Sequence, residues 1–151
     1  MIIKELNNND RIKINLFGVQ KEVRVFSTGD NKFEDGKYKK DAFKLSDEEI
    51  ECLNWFINNV NIEEYKAEIV EYCNSRYSEW SYTKITEKDI EQEIDITAIA
   101  INITKNWKSK AGYIYPEISF YGECNCDVEH GICIAFRDKK FLGIDSQDWT
   151  L

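Results

Sequence analysis

The first part of the chain alternates between apolar and polar residues. The apolar side chains recur at every second position, first at Ile12, Ile14 and Leu16 and then, after a glycine, at Val23 and Val25. Side chains two positions apart lie on the same side of a strand, so this spacing predicts a β-hairpin with one buried face. The next stretch, 28–44, contains several glycine and aspartate turn signals and is predicted to be a long loop with at most one short strand.

Helical spacing replaces this alternation after residue 45. Ser46 followed three positions later by Glu49 is a capping-box pattern, in which each side chain accepts a hydrogen bond from the other residue's backbone amide. The apolar residues that follow recur at helical intervals. They are Ile50, Leu53, Ile57 and Val60. A first helix is therefore predicted to begin at Ser46.

Two further helices are predicted before the chain returns to strands. Residues 62–77 place Tyr65, Ile69 and Cys73 on one helical face, and the sequence Thr86-Glu-Lys-Asp89 predicts the cap of a short helix that ends near Glu93. The aromatic residues of this region include Trp55 and Trp80, and both are predicted to pack in the core.

The last third of the chain is rich in β-branched residues. Residues 94–103 are apolar on both faces near their centre, as is typical of an interior strand, and 102–110 is predicted to be a polar loop. Three more strands are predicted, at 113–121, 131–137 and 140–144. We therefore expect one α+β domain spanning 1–151, with an antiparallel sheet from the N- and C-terminal strands and two to three helices in the middle.

The charge of the chain restricts the partners that it can bind. Its formal net charge of -8 argues against a protein that follows a phosphate backbone, and it favours a basic partner instead. We find neither an apolar run of about 18 residues nor the apolar stretch of a signal peptide. The chain is therefore predicted to be cytoplasmic and to bind no membrane, and its oligomeric state stays open.

One stretch, 122–136, holds three of the five cysteines and the only histidine. Thiolate and imidazole are zinc ligands, so a tetrahedral site could use four residues. They are Cys124, Cys126, His130 and Cys133. A single residue between Cys124 and Cys126 would point the two sulfurs to opposite faces of a continuing strand. We therefore predict ordinary reduced thiols, with Cys73 a small core residue, and no cofactor.

A catalytic role would use the same stretch. Cys126 or Cys133 would act as nucleophile with His130 as base, or Asp127 and Glu129 would form an acid/base pair. No phosphate-binding loop, zinc-protease helix or serine elbow occurs elsewhere in the sequence. The simpler interpretation is a hairpin turn in which the His130 ring donates to a carbonyl or to a carboxylate such as Asp127 or Glu129, and Gly131 takes a positive φ.

A resemblance adds to this interpretation. The sequence Cys124-Asn-Cys-Asp-Val-Glu-His-Gly131, followed by an apolar strand, resembles the C-terminal signature of a group of small, largely uncharacterised bacterial domains. That signature reads Trp-Asp-x-Glu-His-Gly before a strand. It is matched here at four positions, Asp127, Glu129, His130 and Gly131, whereas Cys126 stands where the signature has Trp. Several of these domains are thought to be immunity proteins of polymorphic toxin systems, and the resemblance implies no catalytic residues.

The leading hypothesis is a non-enzymatic binding protein, specifically an immunity protein that neutralises a toxin, such as a basic nuclease, by covering its surface. Acidic side chains for such a partner are concentrated in four stretches, 47–49, 63–64, 87–95 and 145–148. One alternative is a metal- or thiol-dependent enzyme built on the 124–133 loop. A second alternative is a structural or regulatory subunit that involves no toxin.

Overall fold

Eight strands and three helices make up the part of the chain that the computed structural model describes, namely residues 1–28, 33–34, 37–38, 43–103 and 114–150. The strands are β1 (Arg11–Leu16), β2 (Val19–Ser27), β3 (Phe33–Glu34), β4 (Lys37–Tyr38), β5 (Ile94–Ile101), β6 (Ile118–Cys124), β7 (Ile132–Arg137) and β8 (Lys140–Asp145). The helices are α1 (Asp47–Asn59), α2 (Lys66–Tyr77) and α3 (Ile90–Glu93). Short 3-10 turns lie before α2, before α3 and after β8, at Ile62–Tyr65, Glu87–Asp89 and Gln147–Thr150.

The hairpin and the start of the first helix form where the sequence predicts them. Strands β1 and β2 pair antiparallel from Arg11 opposite Arg24 to Leu16 opposite Val19. At the start of α1, the Glu49 amide donates to Ser46 Oγ at 3.2 Å, and the Ser46 amide donates to Glu49 Oε1 at 2.9 Å. This reciprocal pair satisfies two amides that the first turn of a helix leaves without partners, which fixes where α1 begins.

Six strands form the main sheet in the order β1-β2-β5-β6-β7-β8. The pairing of β2 with β5 is parallel, and the other four pairings are antiparallel. All three helices lie between β2 and β5 in the sequence, and such a long crossover lets the chain re-enter the sheet in its original direction. The predicted α+β fold with a mainly antiparallel sheet is confirmed, and β5 is the predicted interior strand.

The helices cover one face of the sheet and form the core with it. Phe56 of α1 is fully buried, and its ring centroid lies 4.6 Å from that of Phe120 and 5.4 Å from that of Phe136. A β-bulge between Ile96 and Ala98 shifts the register of β5 by one residue. The isoleucines on both sides of the bulge therefore belong to the same core.

The opposite face of the central strands carries small side chains. It includes Ala98, Ala100, Ser119, Cys133 and Ala135, all of which are buried. Successive side chains of a strand point to opposite faces, so Cys133 faces away from its neighbours Ile132 and Ile134, which belong to the helix-side core. The two faces thus separate the cysteines of the C-terminal strands.

Two predicted loops coincide with parts of the chain that are not fully described. Within 28–44, the short strands β3 and β4 pair with each other, so this stretch contains two short strands where the prediction allowed one. Most of the predicted loop 102–110, and the start of the strand predicted at 113–121, lie outside the described residues. Among the residues described, no helix has the length and apolar character that crossing a membrane requires.

Candidate functional site

The loop between β6 and β7, residues 125–131, folds around the carboxylate of Asp127. Its Oδ1 accepts hydrogen bonds from the His130 amide at 3.2 Å and from the His130 ring Nδ1 at 2.9 Å. The Asp127 carbonyl accepts from the Gly131 amide at 2.9 Å, and the φ of Gly131 is +63°. The structure therefore joins Asp127, His130 and Gly131 in one turn, with Gly131 in the left-handed conformation that the sequence predicted.

Three side chains from the end of α2 hold this loop. The Tyr72 hydroxyl donates to the Gly131 carbonyl at 2.9 Å, and the Trp80 indole N–H donates to the Cys126 carbonyl at 2.9 Å. Between them, Arg76 Nε lies 3.8 Å from Asp127 Oδ2. Sequence reasoning missed all three anchors. Tyr72 and Arg76 lie four residues apart on one face of α2, and this spacing could have grouped the two side chains without indicating which loop they contact.

Charge strengthens this attachment. The Arg76 guanidinium also contacts Asp145 Oδ1 at 3.2 Å, so it bridges the loop to the end of β8. The hydrogen bond that the His130 ring donates to Asp127, together with the negative charge of that carboxylate, raises the pKa of His130 above the ordinary histidine value. Protonated His130 therefore forms an ion pair with the Asp127 carboxylate.

The outer side of the loop carries side chains that are exposed to solvent. The Val128 side chain is 80% exposed, and Glu129 and His130 beside it are also exposed. The loop and the last turn of α2 line a groove of about 460 Å³. Trp80, which was predicted to lie in the core, borders this groove and is 61% exposed. That prediction was wrong because the indole lies beyond the end of α2, where its N–H donates to the Cys126 carbonyl and its ring is tilted against that of Tyr77 while most of its surface stays in solvent.

The four residues considered as zinc ligands do not form one site. Cys124 and Cys126 belong to the helix-side core, whereas Cys133 lies on the opposite face of the sheet. His130 is exposed, and its ring pairs with Asp127. Cys124, Cys126, His130 and Cys133 therefore cannot bind one zinc ion together in this fold.

The catalytic alternative meets a similar obstacle. Burial raises the pKa of Cys133 to about 12. For Cys126, a hydrogen bond with Cys124 lowers the pKa, but a hydrogen bond with Cys73 and burial outweigh it, and the resulting pKa is about 12. A nucleophilic cysteine requires an accessible thiol with a lowered pKa, and these two have the opposite properties. Neither Cys126 nor Cys133 therefore has the properties of a nucleophile.

A different group of potential ligands does come together inside the molecule. A turn follows β6, so Cys126 Sγ lies 3.3 Å from Cys124 Sγ and not on the opposite face. The ligand atoms of Cys73, Glu93 and Cys126 all lie within 4.8 Å of one another, and the three residues are buried. Cys73 was predicted as a core residue, and Glu93 was predicted only as part of an acidic stretch.

Two of the predicted acidic stretches lose a member to the interior. Glu49 is fully buried at the cap of α1, and Glu93 is only 7% exposed. The acids available to a partner at the groove are Glu79 and Glu129, which are exposed. The exposed acids at this groove therefore lie outside the predicted acidic stretches.

A second groove, of about 490 Å³, lies between the β1–β2 hairpin and the end of α1. Half of its lining residues are apolar, four are asparagine or glutamine, and the charged side chains among them are one acid, Glu63, and one base, Lys13. Because this lining offers less charge to a partner than the groove at the 125–131 loop, we regard the latter as the candidate functional site.

Comparisons with known proteins add one assignment. Searches of curated proteins and of solved structures returned no match. Residues 2–151 match the family described as Domain of unknown function (DUF6985). The match covers nearly the whole chain, including the sheet, the helices and the 125–131 loop. The chain belongs to this family, Domain of unknown function (DUF6985).

Proposed function

We propose that this chain is a non-enzymatic binding protein that attaches to a basic protein partner through the groove between α2 and the 125–131 loop. The observation that carries the proposal is the exposure of Trp80 and Val128, 61% and 80%, beside a loop held by four side-chain contacts. Large apolar side chains that remain in solvent on a well-ordered surface are typical of interaction sites.

The chemistry of the groove fits a protein partner. The Trp80 indole N–H already has an internal acceptor, so binding would bury its apolar ring without leaving a polar group unsatisfied. Exposed Glu79 and Glu129 surround that ring, and the net charge of -8 would attract a basic surface over a longer range. An apolar centre surrounded by charge is the usual organisation of a protein interface.

The hydrogen bonds behind the loop favour affinity. Tyr72, Arg76 and Trp80 fix the positions of the loop backbone and of Asp127 before a partner arrives. Binding to an ordered loop costs less conformational entropy than ordering a mobile one. Val128, Glu129 and His130 are therefore presented as a preformed surface.

We further propose that the partner is a bacterial toxin and that the chain is its immunity protein. Support comes from the resemblance of the segment Asp127 to Gly131 to small bacterial domains that include immunity proteins, and from the acidic charge. A basic nuclease uses lysine and arginine to hold phosphate, and an acidic surface can cover those side chains. The same groove would serve a structural or regulatory subunit, which is the alternative that the experiment has to separate.

The test compares two single substitutions. Val128→Asp places a charge in the middle of the proposed surface, and Val19→Asp makes the same change at a residue that is 62% exposed in the β1–β2 turn region. Each variant is co-expressed with a toxin encoded next to the gene, and cell survival and the dissociation constant are measured. We expect Val128→Asp to weaken binding by roughly 10-fold or more and to abolish protection, and Val19→Asp to retain both.

Equal behaviour of the two variants would reject the groove as the binding surface. If the wild-type chain forms a stable complex with the neighbouring gene product but does not change cell survival, the structural or regulatory subunit would be favoured. We also expect the association rate to fall steeply as salt increases, because screening weakens attraction between an acidic and a basic protein. A rate that does not change with salt would refute the basic partner.

A further inference from the structure

Three buried side chains with metal-binding atoms meet where α2, the α3–β5 junction and the β6–β7 turn converge. Cys73 is completely buried, Cys126 is 1% exposed and Glu93 is 7% exposed. Their two sulfurs and one carboxylate oxygen lie within 4.8 Å of one another. Cys124 Sγ is 3.3 Å from Cys126 Sγ, so a fourth potential ligand borders the group.

The backbone brings these residues together from distant parts of the sequence. Strand pairing places Ile94 opposite Cys124, which sets Glu93 beside the end of β6. The Asn125 amide then donates to the Glu93 carbonyl at 3.0 Å and fixes the turn that carries Cys126. The group is therefore built on rigid elements, which a metal site requires.

Glu93 provides independent support for a ligand. One carboxylate oxygen, Oε2, accepts from the Tyr77 hydroxyl at 3.0 Å. The other, Oε1, is buried and has no hydrogen-bond partner among the described residues. A buried carboxylate oxygen that lacks a partner is costly, and a cation beside the two sulfurs would satisfy it.

We infer that Cys73, Glu93 and Cys126 bind one zinc ion, with Cys124 as the fourth ligand. Tetrahedral zinc has bonds of about 2.3 Å to sulfur and about 2.0–2.2 Å to oxygen, so its ligand atoms lie roughly 3.5–3.8 Å apart. Small side-chain rotations would bring the ligand atoms of Cys73, Glu93 and Cys126 to that spacing, and Cys124, which lies 3.3 Å from Cys126 Sγ but outside the 4.8 Å group, would rotate further to join them. Thiolate ligands select zinc over the harder magnesium and calcium ions.

The burial of all four residues indicates a structural ion. A catalytic zinc keeps an open position for water or substrate, whereas here four protein ligands would close the coordination sphere. The Tyr77 hydroxyl would orient the Glu93 carboxylate, as outer partners of metal ligands usually do. Zinc binding by the cysteines releases their protons to solvent. Because the assembled site exists in the folded chain, zinc raises the free energy of unfolding.

The first test measures the metal directly. The full chain is purified under reducing conditions, and its zinc content is determined by native mass spectrometry and elemental analysis. We expect one zinc per chain. Replacement by Co²⁺ should then give the thiolate-to-cobalt charge-transfer absorption and the visible bands of a tetrahedral site. A protein that contains no zinc and that takes up neither zinc nor cobalt would overturn the assignment.

Substitutions identify the ligands. Cys73→Ser and Cys126→Ser should each weaken zinc affinity by roughly 100-fold or more, and Tyr77→Phe, which keeps every ligand, should weaken it by roughly 10-fold. Cys133→Ser is the matched control, because it removes a buried thiol from the opposite face of the sheet. If Cys73→Ser fails to fold, Glu93→Gln is compared with the wild type instead, because glutamine has nearly the same size as glutamate.

The outcomes differ in what they support. Loss of zinc in the ligand variants with retention in Cys133→Ser supports the site. Equal zinc affinity in the wild type, Cys126→Ser and Glu93→Gln would place the ion elsewhere and overturn the proposal. A disulfide between Cys124 and Cys126 that persists in the reduced, zinc-supplemented protein would also overturn it. None of these results depends on the partner-binding groove.

Discussion

Replacing Gly131 with alanine tests how the 125–131 loop is attached to the sheet. Gly131 has a φ of +63°, and a Cβ added there would overlap the Gly122 carbonyl oxygen and the Gln147 side chain. Gly18, in the turn between β1 and β2, has a similar φ of +79°, but a Cβ added there meets no atom within 4 Å. The two glycines therefore share a backbone conformation and differ in the space around them.

This difference sets the expected magnitudes. Alanine in the left-handed conformation costs about 1–2 kcal/mol, and the lower entropy of the unfolded chain offsets about 0.4–1 kcal/mol of that cost. Gly18→Ala should therefore lower the free energy of unfolding by about 1 kcal/mol or less. Gly131→Ala adds the overlap with a backbone oxygen, which costs roughly 1–3 kcal/mol more, so we expect a loss of about 2–4 kcal/mol.

Urea unfolding, followed by tryptophan fluorescence and circular dichroism, measures both values. The midpoint should fall clearly further for Gly131→Ala than for Gly18→Ala, with similar slopes. Equal losses, within about 0.5 kcal/mol, would show that the loop yields to the added methyl group. They would refute the argument that the contact with Gly122 fixes its position.

Three further predictions concern the same structure. Tyr72→Phe removes the hydroxyl that donates to Gly131 and should cost about 1 kcal/mol in the urea assay, whereas no loss would contradict a structural role for this bond. The single histidine should titrate by NMR with a pKa above the usual value of about 6.5, and Asp127→Asn should lower it; an unchanged pKa would contradict the pairing. Because folding raises this pKa, the stabilisation from the His130–Asp127 pair should be complete below about pH 6.5 and should be lost as the pH rises through the folded-state pKa. Phe56→Ala leaves a cavity between two aromatic rings and should lower the free energy of unfolding by about 3–5 kcal/mol, and a loss below about 1 kcal/mol would show that the core refills it.

The sequence alone determined the elements whose signals are local. The capping box of Ser46 and Glu49 involves residues three positions apart, and the alternation of β1 and β2 involves neighbours joined by a short turn. The apolar character of both faces of β5 similarly indicated an interior strand. The cap and the hairpin could be predicted because the residues that pair in them are close in the sequence. Strand β5 could be predicted because a strand that is apolar on both faces is usually buried, whatever its partners are.

The site could be predicted only in part. The left-handed Gly131 followed from the residue types in a short turn, whereas the sequence offered a carbonyl, Asp127 or Glu129 as acceptors for His130 and the structure selects Asp127. The anchoring by Arg76 could not be predicted with them, because the contact joins positions about 50 residues apart. Trp80 lies beyond the end of the helix predicted at 62–77, but its residue type favoured burial and nothing nearby in the sequence indicated that its ring remains exposed.

Only the tertiary structure decided which distant residues meet. The parallel pairing of β2 with β5 depends on the path of the three-helix crossover, which no local pattern specifies. The pairing of β5 with β6, and the turn after β6, bring Glu93 and Cys126 to Cys73, whereas Cys133 lies on the opposite face of the sheet. Sequence spacing fixes direction along one strand or helix, but distances between elements depend on how the whole chain packs.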